Sequence, residues 1–189
     1  YILHYGSLRY AKGTHVVAQL AEKLLQRYPD LYLVLAGNSE EMLDASGNNI
    51  KAHELVKKSA RQYADRVIYA GRLAREQLYP IVQNAEVCLL PSRIENLSNA
   101  CIEAMAMGKI VVATNGASYE QLIEDRISGF LCERDNAESF LQGLDEALRL
   151  SSEEKKGMSA RAMEITKRLA PEKIYAKYME FYKKVIEEW

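Results

Sequence analysis

The chain has 189 residues, 48% of them apolar and 27% charged, with a formal net charge of −1. That suits one globular domain with its own core, and the charge leaves no broad basic field to gather nucleic acid. The longest apolar runs, such as residues 87–90 and 109–113, are too short to cross a bilayer.

Three cysteines, Cys88, Cys101 and Cys132, stand far apart without a CxxC or Cys/His spacing. They predict buried, reduced thiols in a cytoplasmic protein. The opening residues carry no signal-peptide pattern. Tyr1 already sits in a strand-like run, so the sequence is expected to begin inside a longer protein.

In chain order, short apolar runs alternate with longer amphipathic ones. Residues 2–7 read as a strand. Residues 14–28 read as a helix with Val17, Leu20, Ala21, Leu24, Leu25 and Tyr28 on one face, Thr14 as N-cap and Pro29-Asp30 as stop. A continuous apolar strand over 31–36 ends at Gly37-Asn38. Asn48-Asn49 precedes a helix running to about Tyr63, and strand 66–70 is closed by Gly71.

The unit repeats as helix 75–84, strand 86–90, helix 99–107 and strand 110–113. A short helix over 118–124 leads to a strand at 129–132 and a helix from Asn136 to about Leu150. The rest reads as helical, interrupted at Ser151-Ser152 and at Pro171.

This order predicts an α/β fold: a Rossmann-like, doubly wound parallel sheet of about six strands, with helices on both faces and a helical C-terminus. Residues 1–150 would form the core of a single domain and 151–189 its closing helices. Ligands of such sheets bind beyond the carboxyl ends of the strands. Chemistry is therefore expected in loops 6–13, 37–38, 71–73, 91–99 and 114–120.

Segment 91–106 holds Glu95 in a loop after a buried strand and Glu103 one turn inside a helix, among Ala, Cys, Ile and Met. A carboxylate buried there is costly unless something bonds it, and the vicinal hydroxyls of a ribose are suitable donors. Amides of Leu97, Ser98 and Asn99 face outward at the helix N-terminus, a place for phosphate or sugar oxygens. Taken alone, a helix-capping Glu103 and a solvated Glu95 explain the segment equally well.

Residues 6–14 form a strand-to-helix connection with Arg9 and Lys12 between Gly6 and Gly13. Glycines admit close backbone approach, and the helix start favours an anion. The loop is neither GxGxxG nor a Walker A sequence, and by itself it also reads as an exposed basic turn.

Together these segments resemble the C-terminal, donor-binding domain of the group 1 (family four) glycosyltransferases of the GT-B fold. Glu95 and Glu103 match that family's E-x7-E motif, with Pro91-Ser92 before it. Gly6-Ser7-Leu8-Arg9-Tyr10-Ala11-Lys12-Gly13 is similar to G-R-L-x-x-x-K-G, and Val67 to Leu73 resembles the strand and glycine before the base-binding loop. Gly116-Ala117-Ser118-Tyr119-Glu120 is similar to G-G-x-x-E, and Asp125 to Leu131 to D-G-x-x-G-x-L.

By this resemblance Glu103 would hold the ribose hydroxyls, and Arg72 and Leu73 would frame the base. Glu95, Asn96 and the amides of Leu97, Ser98 and Asn99 would hold the sugar and phosphates. Lys12 would meet the diphosphate in a loop shaped by Gly6, Ser7 and Gly13. The family carries an arginine where this sequence has Ser7. Arg9, two residues on and so on the same side of an extended chain, is the candidate replacement.

The resemblance also implies retaining transfer from a nucleotide sugar, most often a UDP-sugar, to a glycan, lipid or small-molecule acceptor. No DxD pair occurs, so neither a metal nor another cofactor is expected. Lys12, Arg9 and the amides would bear the leaving-group charge. The main partner would be a separate N-terminal acceptor domain, and this chain alone would bind donor without turnover.

The full-length enzyme is expected in the cytoplasm, with room for peripheral association at the membrane's cytoplasmic face, in cell-envelope or exopolysaccharide assembly. The apolar stripe over 174–186 is expected to pack on its own domain; in the family it reaches back to the acceptor domain. His4, His15 and His53 lack ligand spacing and are expected to be structural. Two other readings stay open: half of a nucleotide-sugar epimerase, and a non-catalytic Rossmann-type nucleotide-binding or interaction module.

Overall fold

The computed structural model describes residues 1–188; Trp189 lies outside the described residues. Its strands are β1 (Ile2–Tyr5), β2 (Leu33–Ala36), β3 (Glu41–Leu43), β4 (Asn49–Lys51), β5 (Val67–Tyr69), β6 (Val87–Leu90), β7 (Ile110–Thr114) and β8 (Phe130–Cys132). Its helices are α1 (Thr14–Arg27), α2 (Ala52–Ser59), α3 (Arg75–Asn84), α4 (Asn99–Ala106), α5 (Ala137–Arg149), α6 (Ser152–Thr166) and α7 (Pro171–Glu187).

Six strands form one sheet in the order β5-β2-β1-β6-β7-β8, and every pairing in it is parallel. Successive side chains of a strand point to opposite faces. Val87 and Leu89 thus join the cluster formed with α1, α2 and α5, while Cys88 and Leu90 join the one formed with α3, α4 and α6. Both faces are covered, so each strand position of β6 and β7 is buried and apolar or small. Truncating a fully buried Leu89 to alanine is expected to cost about 2–5 kcal/mol.

Thr14 is the first residue of α1 rather than its N-cap, a position Gly13 holds without a side-chain bond, whereas two later helices start on side-chain caps. Asn136 accepts from the amides of Glu138 and Ser139 at the start of α5. At α6, Ser151 and Glu154 form a reciprocal capping box.

The sheet and its flanking helices agree with the sequence reading, and the segment before β5 does not. Asn49 opens no helix there: residues 41–51 form the antiparallel pair β3–β4. Asp44 turns the chain by accepting from the amides of Ser46 and Asn48, and Gly47 takes a left-handed φ of 79°. The helix begins only at Ala52 and ends at Ser59, because Arg61 adopts a positive φ of 51° and residues 61–66 tighten into a 3₁₀ run.

A second correction concerns α7. Its stripe of Tyr175, Tyr178, Met179, Phe181, Tyr182, Val185 and Ile186 is exposed rather than packed on its own domain. The other helices already cover both sheet faces, and no residue of α7 joins either core cluster.

Crossovers leave β1 toward β2 and β5 on one side, and β6 toward β7 and β8 on the other. The direction reverses between β1 and β6, so the crevice beyond their carboxyl ends is the ligand position characteristic of this topology.

Candidate functional site

Two cavities of about 390 and 260 Å³ open at that crevice and share Tyr5, Gly6, Ser7 and Ala100 as walls. Glu103, Arg72, Leu73 and the Gly37-Asn38 turn line the larger one, with Ala36 and Leu78. Lys12, Glu95 and the start of α4 line the smaller one, with Ser92 and Tyr119.

Glycines fix the approach of these loops. A Cβ on Gly37 would lie 1.7 Å from the Gly6 carbonyl oxygen, and one on Gly13 would lie 1.8 Å from that of Pro91. Both glycines have positive φ. The close packing of Gly13 on Pro91, with the Arg93 amide donating to the Ala11 carbonyl at 2.9 Å, brings together the loops that carry Lys12 and Glu95. Their side chains form an ion pair, 27% and 14% exposed respectively. Ser92 donates to the same carboxylate at 3.4 Å.

Ser98 caps α4 by accepting from the Cys101 amide at 3.3 Å. As the first residues of that helix, Asn99 and Ala100 have amides without an intrahelical acceptor, and both line the smaller cavity. One turn further, Glu103 reaches the larger cavity, where the Tyr79 hydroxyl donates to it at 3.4 Å. The Tyr5 hydroxyl donates to the Ala100 carbonyl, tying the end of β1 to α4.

His4 is buried in the wall of the smaller cavity. Its Nδ1 faces the Leu89 carbonyl at 2.9 Å, and its Nε2 faces the Thr14 hydroxyl at 3.2 Å. A neutral ring donating from Nδ1 and accepting at Nε2 satisfies both contacts, and burial pushes its pKa down to about 4.

Beside the cavities, Tyr10 stacks on His15 with ring centroids 4.2 Å apart. The Arg93 guanidinium lies 4.8 Å from the centroid of the Tyr10 ring. Asp135 ties the group together, accepting from Arg93 Nε at 2.8 Å and lying 2.9 Å from His15 Nε2.

Gly6, Ser7, Arg72, Leu73 and Glu103 thus surround one cavity, and Lys12, Glu95, Leu97, Ser98 and Asn99 the other. Arg9, Gly13 and Asn96 are in neither lining. Gly13 acts through loop packing, and Asn96 is exposed. Arg9 pairs with Glu40 at 3.5 Å, because residues 8 and 39 bridge and the Glu40 amide bonds to Leu8. Tyr5, Ser92, Tyr79 and Tyr119 stand at the cavities without a role expected from the motifs, although Ser92 and Tyr119 lie in loops 91–99 and 114–120, where chemistry is expected.

A cation, a carboxylate and free helix amides flank the smaller cavity, and a lone carboxylate faces the larger one. The arrangement suits a ligand with an anionic middle and hydroxylated groups on either side. Among the described residues no group of three or more His, Cys, Asp or Glu is placed to hold a metal ion, and no helix is long and apolar enough to cross a membrane.

The profile of a family described as glycosyl transferases group 1 matches residues 1–164. An uncharacterized glycosyltransferase of Haemophilus influenzae is 34% identical over 145 residues, covering 76% of this chain and 38% of that protein. The C-terminal domain of the glycosyl transferase group 1 protein LpcC from Francisella tularensis superimposes with a TM-score of 0.73 at 22% identity, over 88% of this chain and 84% of that one. Anabaena HepE in complex with UDP gives 0.76 at 20% identity, over 97% and 48%. At these identities the likeness to solved structures is one of fold. The chain spans about a third to a half of the length of the curated relatives it matches.

Proposed function

Because the chain belongs to the group 1 glycosyl transferases, we propose that its two adjacent cavities hold the two ends of a nucleoside diphosphate sugar. The observation that carries this reading is the separation of the acidic groups. Glu103 stands in the larger cavity, and Glu95, paired with Lys12, stands in the smaller one, with the start of α4 between them.

In this reading Glu103 accepts hydrogen bonds from the ribose hydroxyls, and Arg72 and Leu73 frame the base. The diphosphate lies at the junction, against Lys12 and the amides of α4, and the sugar lies beside Glu95. A HepE structure holds UDP, which makes uridine the first base to test.

Transfer breaks the bond between the anomeric carbon and the diphosphate oxygen and forms one to an acceptor hydroxyl oxygen, with retention, the hydroxyl proton leaving with the nucleoside diphosphate. Negative charge gathers on the departing oxygen, where Lys12 and the helix amides stabilise it without a metal. Glu95 orients the sugar. Arg9 would join the clamp only by leaving Glu40.

The relatives' greater length supports an acceptor domain outside this chain, which would cover the apolar face of α7. The chain alone then binds donor without turnover, and the complete enzyme works in the cytoplasm. Calorimetric titration with UDP, GDP and ADP sugars tests the reading. One of them binds, and Glu103→Ala weakens that binding about 10- to 100-fold, the loss of a charged acceptor. Binding of none favours an interaction module instead.

A further inference from the structure

Residues 116–121 follow β7 and enter through two left-handed positions, Gly116 at φ 77° and Ser118 at φ 64°. For serine that conformation is strained, so the surrounding contacts must hold it. Glu120 accepts from the Gly116 amide at 3.0 Å, and Arg134 donates to the Gly116 carbonyl. The amides of Leu122 and Ile123 both bond to the Tyr119 carbonyl.

The product of this turn is a Tyr119 side chain only 1% exposed, in the wall of the cavity that holds Lys12 and Glu95. Its ring packs with the apolar cluster of α4, a place phenylalanine would fill equally well. Yet the residue carries a hydroxyl, and among the described residues that hydroxyl has no partner within hydrogen-bond geometry. A buried hydroxyl left unpaired is destabilising.

Two other buried hydroxyls, Ser92 and Ser98, line the same cavity. Burial pushes the Tyr119 pKa up, and hydrogen bonding from the Ser92 and Ser98 side chains opposes that rise, although neither serine meets hydrogen-bond geometry with the hydroxyl as it stands. The Ser92 proton is directed to Glu95, and the Ser98 oxygen is occupied by the Cys101 amide. The Tyr119 proton meets no acceptor within hydrogen-bond geometry among the described residues.

We infer that Tyr119, with Ser92 and Ser98, forms a hydroxyl floor that presents a hydrogen bond to an oxygen of the transferred sugar, so that Tyr119 is a specificity-determining residue. The inference rests on the donor reading above. Lys12 and the α4 amides answer the phosphates, so a neutral donor beside them suits a sugar hydroxyl.

Calorimetry of the 189-residue chain and its Tyr119→Phe variant with UDP, UDP-glucose and UDP-N-acetylglucosamine tests it, alongside thermal melting. The variant should lose about 2- to 10-fold in affinity for a UDP-sugar, bind UDP unchanged, and melt no lower than the wild type. Equal loss for UDP and its sugars, no loss for either sugar, or a lower Tm would overturn the assignment and leave the donor reading standing. Failure of the wild type to bind any of the three would overturn both.

Discussion

Lys12 and Glu95 neutralise one another in the free chain, so in the proposed reading a diphosphate would have to compete with Glu95 for the lysine. Two substitutions separate their roles. Lys12→Ala should weaken both UDP and UDP-sugar about 10- to 100-fold, the loss of a charge-assisted hydrogen bond. Glu95→Gln frees the lysine and should bind UDP at least as tightly as the wild type while losing affinity for the sugar nucleotide. Equal losses for both ligands in Glu95→Gln, measured by calorimetry, would contradict the division of labour.

His4 makes a pH prediction. Its pKa in the fold is about 4, below the ordinary value near 6.5, so between those values the unfolded chain binds the proton and the folded chain does not. Its stabilising contribution is complete above pH 6.5 and falls as pH drops toward 4. At pH 4.5 the loss amounts to about 2–3 kcal/mol. Urea unfolding at pH 7 and 4.5 should show this loss in the wild type, and His4→Gln should lack that part of it.

At the scale of elements, the site depends on how closely loops approach one another. Gly37→Ala would drive a methyl group into the Gly6 carbonyl at a positive φ and should destabilise the chain by about 2–3 kcal/mol, read as a lower Tm. The loop carrying Glu95 has a second tether in Arg93, Asp135 and His15. Asp135 accepts a strained φ of 57° where a glycine would be unstrained.

Much of this was legible in the sequence because periodicity reports burial. Strands β6 and β7 are apolar throughout since both faces are covered, and α1 shows its buried stripe. Glu103 stood out because an acidic residue is unusual among Ala, Cys, Ile and Met, and Glu95 through the E-x7-E spacing that pairs it with Glu103. The β3–β4 hairpin escaped because three-residue strands are too short for a period, and the turn at Asp44 depends on side-chain bonds to its own backbone. Arg9 was drawn to the clamp by spacing alone. Spacing does not reveal that Glu40, 31 positions along the chain, would hold its side chain. The partnerless hydroxyl of Tyr119 is likewise a property of packing.

For the whole molecule, the exposed face of α7 carries seven large apolar side chains from Tyr175 to Ile186, and contiguous apolar surface of this kind marks a contact with another protein surface. Together with the greater length of the relatives, this face motivates the proposal of a two-domain enzyme with this chain as its donor side. The central claim is that one nucleotide sugar spans both cavities. A crystal structure of the chain with UDP-glucose tests this most directly. The account predicts the ribose hydroxyls on Glu103, the diphosphate beside Lys12 and the first turn of α4, and glucose near Glu95 and Tyr119. A nucleotide bound elsewhere, or the reverse orientation with the base beside Lys12, would contradict it.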